Sequence, residues 1–452
     1  MTQEAAEKTP LSVQIKLFLM MVLEFFIWGA WLPMIFDYLS IEKGIGFTDG
    51  QRTLVFSAFP VAAIVGMFFS NQFADRNFAA ERFLFVSHLI GGLAMLGMGS
   101  TIEFKYFFPL MVVHCFLYVP TISITNSIAF ANIKNPQAEF GVVRLGGTIG
   151  WIAAAWPFSL ILVDWEKVRA AEPKGLVEWL GTALKNGLEG PALIAGTRWT
   201  FIVAGIASLI LAVFSLTLPH TPPKKTEGDP SFAWQKAFKL LSHPVILVLW
   251  LVTFVDAFVH NSYFIHTGTF LQSIGIKANW VMPVMSFGQI MEIPTMLALG
   301  YFLKRFGWKT TMILGVLGHA VRFGVYALFP NQTVVILVQL VHGVCYAFFF
   351  ATVYIFVDEY FPKDVRTSAQ GLFNLMILGV GDLAAKIFWP QVQRIESLGL
   401  MKLDDAGKSI PNYSKIFLIP CGMAILAALI LLVCFHPKKT EVGVAGENVP
   451  RH

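Results

Sequence analysis

The sequence predicts an all-α polytopic membrane protein of about twelve transmembrane helices in two six-helix bundles, and three observations carry that expectation. Hydrophobic residues make up 56% of the 452 and charged residues only 13%, too little charge to cover a soluble protein of this length. Apolar runs of about 20 residues recur along the chain, each able to cross roughly 30 Å of hydrocarbon as a helix. Basic residues crowd alternate loops, in "ADRNFAAER", "NIKNP", "PPKKTEG", "KRFGWK", "FPKDVR" and "HPKKT". The formal charge of +5 therefore suits membrane orientation better than nucleic-acid binding.

The spans fall in order near 14–38, 53–72, 83–101, 106–131, 141–164 and 197–217, then 244–271, 280–303, 310–329, 333–360, 367–390 and 414–435. The first run continues too far for a signal peptide and lacks a small-residue cleavage site, so it reads as a retained span. The basic loops and the even span count place both termini in the cytoplasm. A Pro- and Lys-rich stretch, 219–239, divides the spans six and six. The expected domains are a bundle over 1–218, this linker, a second bundle over 240–436 and a cytoplasmic tail over 437–452. Laying Asp75-Arg76 of "FADRNFAAER" on Lys304-Arg305 of "FLKRFGWK" needs an offset of about 229, half the chain. That period suits two bundles related by an axis along the membrane normal. Residues 165–196 and 391–412 lie outside the bilayer, where they cap the outer mouth or simply connect spans. Cys115, Cys345, Cys421 and Cys434 fall in spans or at their ends without CxxC spacing, which points to neither a disulfide framework nor a metal.

Hydrocarbon offers no partner to an ionisable group, so such residues at depth must face protein or water. The fifth span carries Arg144 just inside its start, in "EFGVVRLGGTIGW". A guanidinium in hydrocarbon costs roughly 2.5–3.5 kcal/mol on insertion scales, recovered by snorkelling to the headgroups or by a partner at depth. Arg144 and Thr148 are four apart and share a helical face; Gln289 and Glu292, three apart in the eighth span, share another. Glu292 sits about ten residues from either end of its span on a short stem, which favours a paired or functional role. The seventh span offers Asp256, His260, Asn261 and His266, the first Glu24 and Asp37, and the tenth His342 and Tyr346. Asp382 and Lys386 in the eleventh are four apart and can neutralise each other. Asp37, at a span end, is expected to be solvated, and His319 and Arg322 read equally as packing and anchoring residues.

His260 and His266, six apart, do not share a helix face, so no metal is expected. No nucleophile–base pair or phosphate-cradling loop is present, so neither an enzyme nor a cofactor is expected. Inside a span, "RLGGTIGW" suits close helix packing. Trp28 and Trp31 straddle Gly29, and Trp151 ends the Arg144 segment. Rings at such positions either pack the bundle or stack on a planar solute, which is worth about 1–3 kcal/mol for a base.

These stretches resemble the major facilitator superfamily and, within it, the nucleoside:proton symporter family of bacterial inner membranes. The resemblance runs through "FIWGAWL", "YVPTISITNSIAF", "RLGGTIGW", "TLPHTP", "GQIMEIP", "RFGVYALF" and "RTSAQGLF", in order over most of the chain. It implies a central cavity between the halves, opened alternately to each side. By family pattern Arg144, Thr148 and Trp151 match binding positions of the fifth span, and Gln289 and Glu292 match the amide and carboxylate of the eighth. His342 and Tyr346 match the tenth, and Asn261 a family amide in the seventh. Three positions depart from the pattern: Ala347 stands where the family has an acid, Glu24 where it has Gln, and Phe264 where it has a polar residue.

In the fold so implied, the fifth and eighth helices face each other, so Arg144 and Glu292 are expected to pair directly or through the ligand. One strong cation beside carboxylates suits a neutral solute better than a nucleotide. A nucleoside would stack its base on Trp31, Trp151 or Tyr346, present its edge to Gln289 and Asn261, and offer ribose hydroxyls to Arg144 and Glu292. Glu292, then Asp256 and Glu24, are the candidates for the coupling proton. The expected protein is a monomeric, proton-coupled importer in the bacterial inner membrane, its partners a nucleoside, a proton and lipid, without nucleic acid. The alternative is a carrier of the same superfamily for a sugar, a modified nucleoside or another small hydroxylated solute, coupled or uncoupled. A membrane enzyme would need a catalytic constellation and a receptor a sizeable soluble domain, and the sequence holds neither.

Overall fold

The computed structural model describes residues 8–40, 44–66, 78–134, 136–223, 238–361, 366–393, 395–404, 407 and 409–437. Residues 73–77 of the first repeat motif, 224–237 of the linker and 438–452 of the tail lie outside the described residues. Among the described residues nine helices are long and apolar enough to cross a membrane. They include α1 (Leu11–Tyr38), and α3 (Ala80–Gly99) and α4 (Phe104–Asn132) flank α2 (Asp49–Val65), which is shorter. Next come α5 (Pro136–Ala155) and α6 (Trp199–Ser215), the latter running on from a short helix that begins at Gly190. The second half has α7 (Pro244–Ser273), α10 (Gln332–Val357), α11 (Ala369–Val392) and α12 (Tyr413–Cys434). Between α7 and α10, one continuous stretch, Ala278–Leu328, breaks at Gly307 into α8 (278–306) and α9 (308–328). Gly307 has φ 74, a left-handed conformation that suits glycine, so one residue ends α8 and starts α9. With that stretch taken as two helices and with α2 and α5 added, the twelve expected spans are all present.

Local chemistry explains the element ends. Thr48 opens α2 with a reciprocal capping box, its hydroxyl accepting from the Gln51 amide while the Gln51 side chain accepts from Thr48 N–H. Asp164 caps the helix Trp165–Ala170 by accepting from Lys167 N–H at 3.1 Å, which holds its carboxyl below the usual carboxylate range. The 391–412 segment closes with a two-stranded antiparallel ribbon of β1 (Met401–Leu403) and β2 (Ser409–Pro411).

The chain divides into two compact units. The first joins residues 1–226 with 263–290 and 331–339; the second joins 227–262, 291–330 and 340–452. In the first, α1 packs along α5, α3 along α6, and α4 on α3. The 165–196 segment is fastened onto the start of α8. Asn279 donates to the Ser159 and Leu184 carbonyls, Trp280 Nε1 donates to Leu184 at 2.8 Å, and Lys277 pairs with Glu189. The hydrogen bond from Lys277 holds the exposed Glu189 carboxyl below its ordinary range. Asp37 is not solvated as its span-end position suggests. It is buried and accepts from Gln272 Nε2 at 2.7 Å, because the last turns of α7 cover the end of α1 within this unit. In the second unit Gly381 lets α11 approach α7 at Ala257, and Phe323 and Tyr326 of α9 pack on Phe417 of α12. Asp382 and Lys386 pair at 2.8 Å, as their four-residue spacing predicts.

The α1–α5 contact depends on missing side chains. A Cβ on Gly146 would lie 2.5 Å from the Phe18 carbonyl oxygen, and one on Gly150 would overlap the Val22 carbonyl. Neither obstacle is a movable side-chain end. Gly150→Ala is expected to cost about 1–3 kcal/mol by overpacking. Gly141→Ala, whose Cβ would meet nothing within 4 Å, should be neutral or stabilising. Thermal midpoints of the two purified variants in detergent check the contrast.

Candidate functional site

The glycine seam aims the first group of candidates. With no side chain at Gly147, whose Cβ would meet both Arg144 and Phe25, the Arg144 guanidinium lies on the Phe25 ring, Cζ 4.3 Å from its centroid. A cation on a ring face gains about 0.5–2 kcal/mol, most when desolvated, which offsets part of the cost of a guanidinium at depth. Thr148 follows one turn later and is half-buried. Trp151 meets Trp28 edge-on at 5.4 Å and Phe264 at 6.0 Å, and Trp28 stacks on Phe59 at 4.9 Å. Arg144 is thus followed along α5 by a wall of aromatic rings drawn from α1, α2, α5 and α7. Phe264, a departure from the family pattern, belongs to that wall.

Three other candidates belong to the first unit. Gln289 is buried, and its Oε1 has no hydrogen-bond partner among the described residues. Trp31 is 3% exposed, edge-on to His114, with Nε1 equally unpartnered among the described residues. Glu24 is wholly buried and saturated: His88 Nε2 lies 2.9 Å from one carboxylate oxygen and Thr121 donates to the other at 2.7 Å. His88 continues to Ser208 at 3.0 Å, and Tyr118 donates to the Glu24 backbone carbonyl. This network ties α1, α3, α4 and α6 together.

In the second unit, Glu292 and His342 lie at one crossing. A Cβ on Gly343 would overlap the backbone of Met291 and Glu292, so α10 and α8 touch there main chain to main chain. Glu292 is half-buried. The Asn261 amide turns back on its own helix and donates to Ala257 O at 2.9 Å. His342 is bonded by Arg322. Tyr346 is half-buried near Phe350 and opens a π-helical stretch, Tyr346–Ala351, a distortion frequent at functional positions. Ala347 is buried in an apolar cluster with Leu299, Phe348 and Ala351. Asp256 is wholly buried near His319.

Sequence spacing missed three residues. Phe25 lies more than a hundred residues from the arginine it supports, which no local period reveals. Arg322 and His319 read as packing residues, yet both are 0% exposed among other ionisable groups. Their three-residue spacing on one helix face was the available signal.

A profile of the nucleoside H+ symporter family matches residues 11–178 and 174–440. The chain belongs to that family. YegT of Escherichia coli (strain K12), named provisionally as a nucleoside transporter, is 34% identical, the match covering 94% of this chain and 95% of the relative. The xanthosine permease of the same strain is 26% identical over 94% and 96%. Among solved structures, a mutant of the nucleoside transporter NupG superposes with a TM-score of 0.75 at 22% identity, covering 94% of this chain and all of that one. A D-xylose-proton symporter gives 0.63 at 14%, covering 94% and 98%. The fold is that of major facilitator transporters, and the nucleoside symporter expectation holds.

Two outcomes follow for the symporter's first unit. Arg144→Lys keeps the charge but loses the planar face on Phe25, and uptake in proteoliposomes should show an apparent KM raised roughly tenfold, the equivalent of about 1.4 kcal/mol. Glu24→Leu leaves His88 Nε2 without its partner in the interior, at about 1–3 kcal/mol, while the Thr121 hydroxyl keeps the Tyr118 carbonyl. The thermal midpoint in detergent should fall accordingly.

Proposed function

We propose that this symporter imports neutral nucleosides across the bacterial inner membrane by alternating access, with both termini in the cytoplasm and no enzymatic step. The carrying observation is the cation-and-ring arrangement on α5: Arg144 on Phe25, followed by the Trp151, Trp28 and Phe264 rings. A nucleobase has two π faces and gains about 1–3 kcal/mol by stacking on such rings. The Gln289 oxygen, unpartnered among the described residues, is suited to accept from a base amino or imino group, and Arg144 and Thr148 to bond ribose hydroxyls. On the second unit we assign Glu292, Asn261, His342 and Tyr346 to ligand binding, with Glu292 and Asp256 as proton carriers. Glu24, saturated by His88 and Thr121, is assigned to holding its bundle together. Burying a phosphate dianion would call for several cations, and the α5 wall provides one. A monomer suffices, because each assigned residue comes from one chain.

Buried groups that bond a hydroxyl discriminate strongly against analogues lacking it. Uptake of labelled uridine or adenosine in proteoliposomes should therefore be inhibited by nucleosides, by 2′-deoxynucleosides at least about tenfold less well, and hardly by nucleotides or sugars. An uncoupler should abolish accumulation. Effective competition by sugars, or accumulation indifferent to the uncoupler, would identify a sugar carrier or a facilitator instead.

A further inference from the structure

Five ionisable side chains meet inside the second unit, and their hydrogen bonds fix the protons. α7 supplies Asp256 and His260, one turn apart; α9 supplies His319 and Arg322; α10 supplies His342. Asp256, His319 and Arg322 are 0% exposed and His342 2%. Arg322 reaches His319 Nδ1 at 3.0 Å through Nη2 and His342 Nδ1 through Nη1. A guanidinium has donors only, so both Nδ1 atoms must accept, and each neutral imidazole carries its proton on Nε2. His319 Nε2–H therefore faces Asp256 Oδ2, at 3.7 Å. That is beyond hydrogen-bond length, and neither Asp256 oxygen has a hydrogen-bond partner among the described residues.

A carboxylate facing an N–H donor on an imidazole bonded to a guanidinium would close that gap, because the hydrogen bond is charge-assisted. A neutral carboxyl gains far less. The open gap suits the protonated acid, and loss of its proton would draw Asp256 onto His319.

We propose that Asp256 is a proton-binding site and that His319 and Arg322 pass its charge state to His342. The step is a proton taken from water by one Asp256 oxygen and later returned, with no other bond made or broken. With Asp256 ionised, its charge offsets Arg322 through His319. With Asp256 neutral that offset is lost, and the change reaches His342, which Arg322 bonds and whose ring stacks on His260 at 5.2 Å. His342 stands one turn before the π-helical stretch at Tyr346, where a helix can shift register at low cost.

Other groups facing the cluster are accounted for. Asp382 and Lys386 on α11 neutralise each other at 2.8 Å. Cys345 on α10 donates to Val341 O, and Cys421 on α12 donates to Ala320 O. Tyr326 lies one turn beyond Arg322, and Glu292 on α8 adjoins Gly343 by its backbone.

The coupling role rests on the symporter reading, but the proton site can be tested without a nucleoside. Infrared difference spectra of the reconstituted full chain, stepped in pH, should show a carboxylic-acid C=O band that titrates in the wild type and is absent in Asp256→Asn. In His319→Gln the midpoint of that band should move by about one pH unit. An undiminished band in Asp256→Asn overturns the proposal. So does an unmoved midpoint in His319→Gln, which decides the matter if Asp256→Asn fails to fold. A second arm compares proton-driven accumulation with counterflow exchange. One proton moving down a typical membrane potential supports roughly 50-fold accumulation. The ratio of accumulation to exchange should fall by about that factor in Asp256→Asn, and a wild-type ratio overturns the coupling role. A wild type that exchanges no nucleoside counts against the substrate reading and leaves the infrared result to judge the proton site.

Discussion

Every polar group buried in this protein must find its partner within the chain, because the hydrocarbon around the helices supplies none. That constraint explains where the helices touch and what lies at the crossings. Glycine brings α5 against α1 closely enough for the Arg144 guanidinium to lie on a ring. Serine, threonine and histidine cross-link α1, α3, α4 and α6 around one carboxylate. Where a polar atom is left without a hydrogen bond among the described residues, as at Gln289 and Asp256, structure alone gives no reason to keep it there.

The two units handle buried charge in opposite ways. In the first, Glu24 is satisfied on both oxygens, and its partners His88 and Thr121 are held in turn by Ser208 and the Tyr118 carbonyl. In the second, Arg322 donates to two histidines, while the Asp256 carboxyl facing one of them stays beyond hydrogen-bond length. A saturated network resists change; an incomplete one can accept a proton and respond. Both rest on similar residue types, and the difference lies wholly in geometry.

The sequence displays whatever repeats locally. Apolar runs disclosed the spans, the four-residue interval joined Asp382 to Lys386, and the glycines of "RLGGTIGW" announced a close helix contact. Partners far apart in the chain were hidden. Asp37 meets Gln272 across 235 positions, so a residue that looked like a solvated span end is a buried acceptor. His319 and Arg322 have unremarkable neighbours in sequence, and their meaning comes from α7 and α10 brought beside them by folding. The π-helical stretches on α10 and α11 also leave no trace in a hydrophobic period.

The glycine seam has a consequence for selectivity. Main chain presses on main chain along Gly146 to Gly150, so α1 and α5 have no compressible side chains with which to slide. Trp28 and Trp151 must then travel as one piece, like two teeth on a single jaw. Their spacing is set once, when the chain folds, rather than adjusted to each guest. On the reading proposed above, a carrier with so fixed a wall sorts its cargo by outline, favouring a rigid flat molecule over a flexible one.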